Sequence, residues 1–415
     1  MGPVEKAIRE VFLPALFGEP DAGGCITDDE REMYGLSVRH TGLGIPNPCT
    51  TADQCLDMSE ICCSMLTASI REGEDLVYGE HTKHVKNIRV VKKGEKDGKN
   101  EAIVGRWIND RRLAMKVRNR LKRNKRNGGW LTCIPNALNG TRLTREEFRD
   151  NLRLRYGFDP LDLRSKCDGC DCKLTVEHAL SCKKGGLVLI RHNSAAGEWG
   201  NMCGKALLPS AVTHEPYIKY GGSMQERNRR AAKLRDEARA RRASGAEEPP
   251  GEAEADVDED ETPLGDESQG DKGCDGFWLD NWMTIFDMRI TQTDAPSYRG
   301  GDPFLILKRA EATKKKKYLT ACLDERKHFT PLVYSVDGVA GPETRGAEKR
   351  LAFHLAKKWN REYSEMCGYV RTRMSIAVVR SNTLLLRGQR KGRGVIQRPV
   401  HEDGAGVSLQ GYWQQ

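Results

Sequence analysis

The 415-residue chain is long enough for two domains with real cores, yet it is polar, at 38% hydrophobic and 31% charged residues, so part of it is expected to stay unfolded. Its 68 Lys and Arg against 59 Asp and Glu leave a net charge of +9, which favours a polyanionic partner, nucleic acid or an anionic membrane. No run of about 18 apolar residues occurs and no apolar signal-peptide core opens the chain, so no transmembrane helix is expected and an intracellular, reducing setting follows.

In that setting the 14 cysteines are expected as thiols or metal ligands rather than disulfides. The opening stretch VEKAIREVFLPALFG is amphipathic from its first residues and reads as the continuation of something longer. Residues 1–130 read as mostly helical. Asp53 to Gly73 carries Leu56, Met58, Ile61, Met65, Leu66 and Ile70 at helical spacing, with Cys62 and Cys63 expected as buried core thiols among them. Gly105 to Gly129 reads as one helix stopped by glycines, with ten Lys or Arg against one Asp. Acid hardly offsets this charge, so Arg111, Arg112, Lys116, Arg118, Arg120, Lys122 and Arg123 are candidates for phosphate contacts, against the bland alternative of a solvated face.

Trp130 to Tyr156 reads as a strand or loop followed by a helix, with Thr144 and Glu147 spaced as a capping box. Residues 131–190 thus form a linker helix and a cysteine-rich module, KCDGCDCKLTVEHALSCKKGG. Cys167-x2-Cys170-x7-His178-x3-Cys182 has metal-ligand spacing: two ligands on a turn and two on a short helix can meet on one tetrahedral zinc ion. Gly169 helps the backbone turn, and Cys172 is an alternative to Cys170. A disulfide framework needs an oxidising compartment, and a redox Cys-x-x-Cys belongs at a strand-to-helix junction. Four protein ligands leave no open position, so the zinc is read as structural.

A helix follows from about Arg191 to Leu208. Residues 224–270 are charged and nearly free of large apolar side chains, and are expected to be a disordered insertion. Order resumes at Asp271. GFWLDN and WMTIFDMRITQ read as two strands joined by a turn near Asp280-Asn281. A helix over Phe304 to Arg326, an apolar strand over Phe329 to Gly338 and two more helices complete a small α/β layer. Residues 391–415 read as a flexible basic tail. Asp271 enters the hairpin and Asp287 lies inside its second strand. Two carboxylates on neighbouring strands suit a hard cation, Mg2+ or Mn2+, that activates water and stabilises charge in phosphodiester hydrolysis. Lys314 and Lys317 on the next helix are candidates to hold the phosphate, with Glu311 a turn before, and Arg289 shares the strand face of Asp287. Isolated aspartates at strand ends are more often turn residues and a Lys run is more often solvated, so spacing alone leaves both readings open.

The Cys-Cys-His-Cys set, Arg191-His192-Asn193, the separated aspartates and the lysine-bearing helix together resemble the C-terminal restriction-like endonuclease of early-branching non-LTR retrotransposons. LSVRHTGLGIPNP (Leu36 to Pro48) is similar to a glycine-containing segment downstream of their polymerase core. GGWLTCIPNALNGT, FDMRITQTDAPSY and KKKKYLTACLDERKHFTPLVYSVDG resemble the C-termini of reverse-transcriptase-like proteins of protist retroelements. The resemblance implies an α+β chain: a helical N-terminal part, a small CCHC zinc module, and a PD-(D/E)xK-like α/β nuclease core over 191–223 and 271–390, interrupted by the acidic insertion. It implies zinc on Cys167, Cys170, His178 and Cys182, and Mg2+ or Mn2+ on Asp271 and Asp287. Lys317 is implied as the catalytic lysine with Lys314 the alternative, His192 and Glu311 are further catalytic candidates, and Arg191 with His192 makes a basic motif on nucleic acid. The implied partners are target DNA and element RNA, not a membrane, with an upstream polymerase domain of the same polyprotein and a nuclear location; the implied reaction is nicking that primes reverse transcription. The sequence departs from the family where Gly270 precedes Asp271 in place of Pro, and where Asp287-Met288-Arg289 stands for Asp-x-Lys. No aromatic-x-Asp-Asp polymerase signature is present; Thr27-Asp28-Asp29 lacks the aromatic residue and the apolar strand. The alternative expectation is a non-catalytic nucleic-acid-binding module with a decayed nuclease core.

Overall fold

The computed structural model describes residues 2–18, 26–218, 268–298 and 300–391. The predicted insertion at 224–270 lies outside them except for residues 268–270, and the predicted tail except for Lys391. The chain divides into two compact units, one running to Arg164 and one starting at Ser165.

The first unit is helical. Its elements are α1 (Pro3–Ala7), a π-turn (Ile8–Phe12), α2 (Leu13–Phe17), α3 (Asp28–Gly35), α4 (Pro48–Glu72), α5 (Tyr78–Asn109), α6 (Met115–Asn124), α7 (Gly129–Thr132) and α8 (Arg145–Tyr156). A buried ion pair ties its start together: Arg31 donates to both oxygens of Glu5 at 2.8 Å, and Arg9 donates to Glu5 at 2.8 Å. Thr144 and Glu147 form the predicted capping box at the head of α8. Two expectations fail in this unit. The apolar positions of α4 are not core: Leu56 is 60% and Ile70 76% exposed, no residue of α4 is buried, and Cys63 is exposed with Cys62 half-buried. The helical period predicted the helix correctly but not a partner for its apolar face. The basic stretch is not one helix either. Asp110 accepts the Arg112 amide at 2.9 Å and its guanidinium at 2.8 Å, and this local side-chain turn ends α5 and separates it from α6.

The second unit contains α9 (Val176–Ser181), α10 (Leu187–Ala206), β1 (Val212–His214), β2 (Lys272–Asp275), β3 (Met283–Thr291), α11 (Pro303–Asp324), β4 (His328–Ser335), α12 (Pro342–Trp359) and α13 (Tyr363–Arg387). Its mixed sheet has the order β1-β2-β3-β4; the first three strands are antiparallel, and β3 and β4 run parallel with α11 as the crossover. Strand alternation sorts the side chains. Phe286, Met288, Leu332 and Tyr334 join Trp199, Leu351 and Val370 in the core under α10, α12 and α13. Ile285 and Phe329 face the other way, against Cys322 of α11. Asp287, two residues after Ile285, therefore belongs to the α11 face.

The expected first strand of the hairpin is displaced. GFWLDN is the connection and KGCD is the strand. Asn281 is left-handed (φ +61°), which an extended strand does not allow. Fully buried Phe277 packs on Trp199 and Phe286, and Arg350 donates to the carbonyls of Phe277 and Trp278 at 2.8 and 3.0 Å. The loop is thus satisfied by α12 rather than by a ladder. The chain leaves the sheet at Ile218 and returns at Ser268 side by side, Ile218 N donating to Ser268 O at 2.9 Å.

One buried carboxyl in this core sets a pH dependence. Glu348 on α12 is 5% exposed and accepts from the Tyr334 hydroxyl at 3.0 Å; burial pushes its carboxyl from 4.5 up to about 7. A folded value above the unfolded one means that stability is fully present below about pH 4.5 and is lost as pH rises through about 7. Glu348→Gln is expected to be more stable than wild type at pH 8, by an amount on the order of 2 kcal/mol larger than at pH 5, read from urea unfolding at the two pH values.

Candidate active site and metal centre

The Cys/His centre is built by local hydrogen bonds. Lys166 and Lys173 bridge, Cys167 N donates to Cys172 O and Asp171 N donates to Cys167 O, both at 2.8 Å, with Asp171 left-handed at φ +58°. This tight turn points Cys167 and Cys170 inward. Thr175 caps α9 through the His178 amide at 3.1 Å, and Cys182 ends the same helix. The donor atoms of Cys167, Cys170, His178 and Cys182 all lie within 4.8 Å of one another. Cys167 Sγ and Cys182 Sγ are 3.8 Å apart, and Cys170 Sγ and His178 Nε2 3.2 Å. Tetrahedral zinc with bonds of about 2.3 Å sets its sulfurs about 3.8 Å apart, so the donor set and spacing fit a metal ion such as zinc. Cys172 is exposed and outside the set, which leaves Cys170 as the second ligand. Burial raises the thiol of Cys182 to about 11; for Cys167 burial also raises it, but hydrogen bonds from His178, Gly169 and Cys170 outweigh that and hold it below its ordinary value.

The segment after α13 fastens this module. Arg390 N donates to Asp168 at 2.7 Å, and its guanidinium donates to Ala179 O at 3.0 Å and Leu385 O at 2.6 Å. A Cβ on Gly185 would lie 2.5 Å from Arg390 Cα, so the close approach requires glycine. Neither Asp168 nor Arg390 stood out in the sequence, because nothing in their spacing links residues more than 200 positions apart.

The carboxylates converge on β3. Asp271 N donates to Phe286 O at 2.9 Å, and its carboxylate accepts the Met288 amide at 2.5 Å, which sets it beside Asp287. Gly270, where the resemblance implies proline, has a local reason. A Cβ there would lie 2.3 Å from Ile285 Cγ2, and Gly270 N donates to Pro216 O at 2.9 Å, a bond that proline lacks. Asp287 is 8% exposed and is paired with the Nζ of Lys314, itself 7% exposed. Burial, together with the Asp271 charge, holds the Asp287 carboxyl above the ordinary carboxylate range against the pull of Lys314. Burial also raises Asp271, but the bond and charge of His192 outweigh it and hold that carboxyl below its ordinary value.

His192 Nε2 lies 3.1 Å from both Asp271 Oδ2 and Met288 O, and Nδ1 lies 3.1 Å from Asn193 Oδ1. Burial lowers its pKa, but Asp271, Asn193 and Asp287 together raise it to about 9. With acceptors at both nitrogens and no cation on Asp271, the ring is an imidazolium at neutral pH with both N–H groups committed.

The other sequence candidates divide. Glu311 is 1% exposed and accepts from Glu343 N, Thr344 N and Thr344 Oγ1 at 3.0–3.1 Å, so it caps α12 and is not directed to the carboxylates. Lys317, the sequence's first choice of lysine, stacks over Tyr318 at 5.2 Å, and Lys314 is the one on Asp287. Arg191 is 4% exposed and donates to Leu180 O at 3.1 Å; burial lowers its pKa to about 10, and the expected nucleic-acid contact is not open to it. In the first unit Arg123 is buried, Arg118, Arg120 and Lys122 are half-buried, and Arg111, Arg112 and Lys116 are exposed, with Arg112 paired to Asp110. No helix among the described residues is long and apolar enough to cross a membrane. No family model and no curated protein sequence matches the chain.

Two outcomes follow. Cys170→Ser is expected to lose bound zinc while Cys172→Ser keeps one equivalent, measured by metal analysis of purified protein. Glu311→Ala is expected to cost about 2 kcal/mol in chemical denaturation, because two backbone amides of α12 lose their acceptor, and to leave divalent-cation affinity unchanged.

Proposed function

We propose that the second unit is a divalent-metal-dependent DNA endonuclease, the C-terminal module of a retroelement protein, which nicks target DNA to prime reverse transcription. The observation that carries this reading is the convergence of Asp271, Asp287 and Lys314 from the residue before β2, from β3 and from the crossover helix α11. An antiparallel meander joined through a helix to a parallel strand also agrees with the PD-(D/E)xK-like core that the resemblance implies.

Asp271 and Asp287 would hold Mg2+ or Mn2+; Asp271 bonds the β3 backbone on either side of Asp287, at Phe286 O and Met288 N, and two neighbouring hard oxygen donors suit such a cation. When bound, the cation supplies a polarised phosphoryl oxygen and an activated water. Lys314 neutralises Asp287 in the resting protein. Its ammonium is the cation best situated to stabilise charge on the phosphate once Asp287 has another partner. His192 neutralises Asp271 and holds it against the Met288 amide. Exposed basic residues near α6, Arg111 and Lys116 among them, would contribute sequence-independent phosphate contacts to target DNA or element RNA. This reading carries with it a nuclear location and an upstream polymerase domain.

A second reading, nucleic-acid binding without catalysis, draws support from Arg289 at the family's lysine position and from the internally satisfied Asp287–Lys314 pair. Plasmid nicking in Mg2+ separates the two. The nuclease reading predicts that Asp287→Ala and Lys314→Met each lose about 100-fold or more in rate, while Lys317→Met stays within a few-fold of wild type. Equal nicking by wild type and Asp287→Ala contradicts it, and salt-dependent binding with no cleavage supports the binding module.

A further inference from the structure

Two neighbouring residues on the first turns of α10 look in opposite directions. Arg191 is buried and donates to the carbonyl of Leu180, which lies on α9 between the ligands His178 and Cys182. His192 lies 3.1 Å from Asp271 and from the carbonyl of Met288, beside Asp287. One end of this dipeptide reads the metal centre and the other holds a catalytic carboxylate.

The support for α9 is conditional. It has six residues, too few for a helix that stands alone in water. Its placement rests on the candidate ligands His178 and Cys182, on the Thr175 cap, on the guanidinium bonds to Ala179 O and Leu180 O, and on the packing of buried Leu180. Without a cation, the three cysteines and the histidine are held to one another only by weak thiol hydrogen bonds, such as Cys170 Sγ to His178 Nε2 at 3.2 Å. If α9 shifts, buried Arg191 loses its carbonyl acceptor, and an unsatisfied buried cation is costly. The first turn of α10 then has reason to move, and its hydrophobic link moves with it, because Leu187 packs on Leu180, Val336 and Leu385.

We infer that metal occupancy of the Cys/His centre positions the hydrolytic carboxylates through Arg191 and His192, so that losing the first metal weakens binding of the second. Arg191 is a positioning residue here, not a catalytic one. The inference rests on the proposed hydrolytic site only for its second half; the link from the Cys/His centre to His192 stands without it.

The test uses the full chain and does not depend on cleavage. Three proteins are compared: zinc-loaded wild type, Arg191→Met with its zinc content measured, and Cys182→Ser, which lacks a ligand. Amide hydrogen exchange is followed across 187–193, with α12 and α13 as internal controls for the fold, and Mn2+ affinity is measured by titration. The expected result is faster exchange at 187–193 in both variants, unchanged exchange in α12 and α13, and Mn2+ affinity weaker by about 10-fold, the size of effect typical when an outer partner of a metal ligand is lost. Arg191→Lys, which keeps a donor, is expected to recover part of that affinity. Faster exchange in a protein whose wild type binds no Mn2+ supports the link to His192 while refuting the hydrolytic site. Unchanged exchange and unchanged Mn2+ affinity in zinc-retaining Arg191→Met overturn the inference. Should Arg191→Met fail to fold, the same two measurements on wild type and Cys182→Ser decide it.

Discussion

The buried pair between Lys314 and Asp287 is the constraint around which the second unit is arranged. Both residues are buried, Lys314 at 7% and Asp287 at 8% exposure. Removing one partner of such a pair typically costs about 3–5 kcal/mol, because the other charge is left without compensation. Asp271 adds a second carboxylate to the same place, and His192 supplies the second cation. Two negative and two positive groups therefore balance in a confined volume. The sheet register, the crossover helix α11 and the start of α10 must all be in place for that balance to hold. A site built only for stability would do better with apolar side chains of similar size. This is the physical reason to read the cluster as functional.

The Cys/His centre answers a different need. It does not expose an open coordination position, and its four donors come from a turn and one short helix. Its contribution is to make α9 a fixed surface. Arg390, after the last helix, and Arg191, in the first turns of α10, both end on carbonyls of α9. The Cys/His module is in this way clasped by α10 and by the segment after α13, although the sequence presents it as a separate stretch.

Much of this was legible in the sequence, and the failures have physical causes. The Cys/His cluster, which could hold a metal ion, was legible because tetrahedral coordination imposes a local spacing, and the Thr144–Glu147 cap because its chemistry spans three residues. The choice between Lys314 and Lys317 was not legible: Lys317 falls seven residues after buried Ala310 just as Lys314 falls seven after buried Leu307, so helical spacing puts both on the buried side of α11 and only the contact with Asp287 separates them. Glu311 lies on the same stripe, yet its partners are the amides of Glu343 and Thr344, 32 and 33 residues away. Only tertiary contact tells a helix cap from a metal ligand there. The apolar face of α4 fails for the opposite reason: periodicity states that a face is apolar, not that anything covers it. Arg191 was assigned to nucleic acid through the basic motif that the resemblance implies, and burial against α9 is not visible along the chain.

The account depends on the carboxylates of Asp271 and Asp287 receiving one hard cation. Crystals of the protein grown or soaked in Mn2+ test this most directly, through anomalous difference density at the manganese edge. The account predicts a peak within bonding distance, about 2–2.6 Å, of both carboxylates, with Lys314 drawn away from Asp287. Density elsewhere on the protein with none between these two residues, and Lys314 still on Asp287, would contradict it.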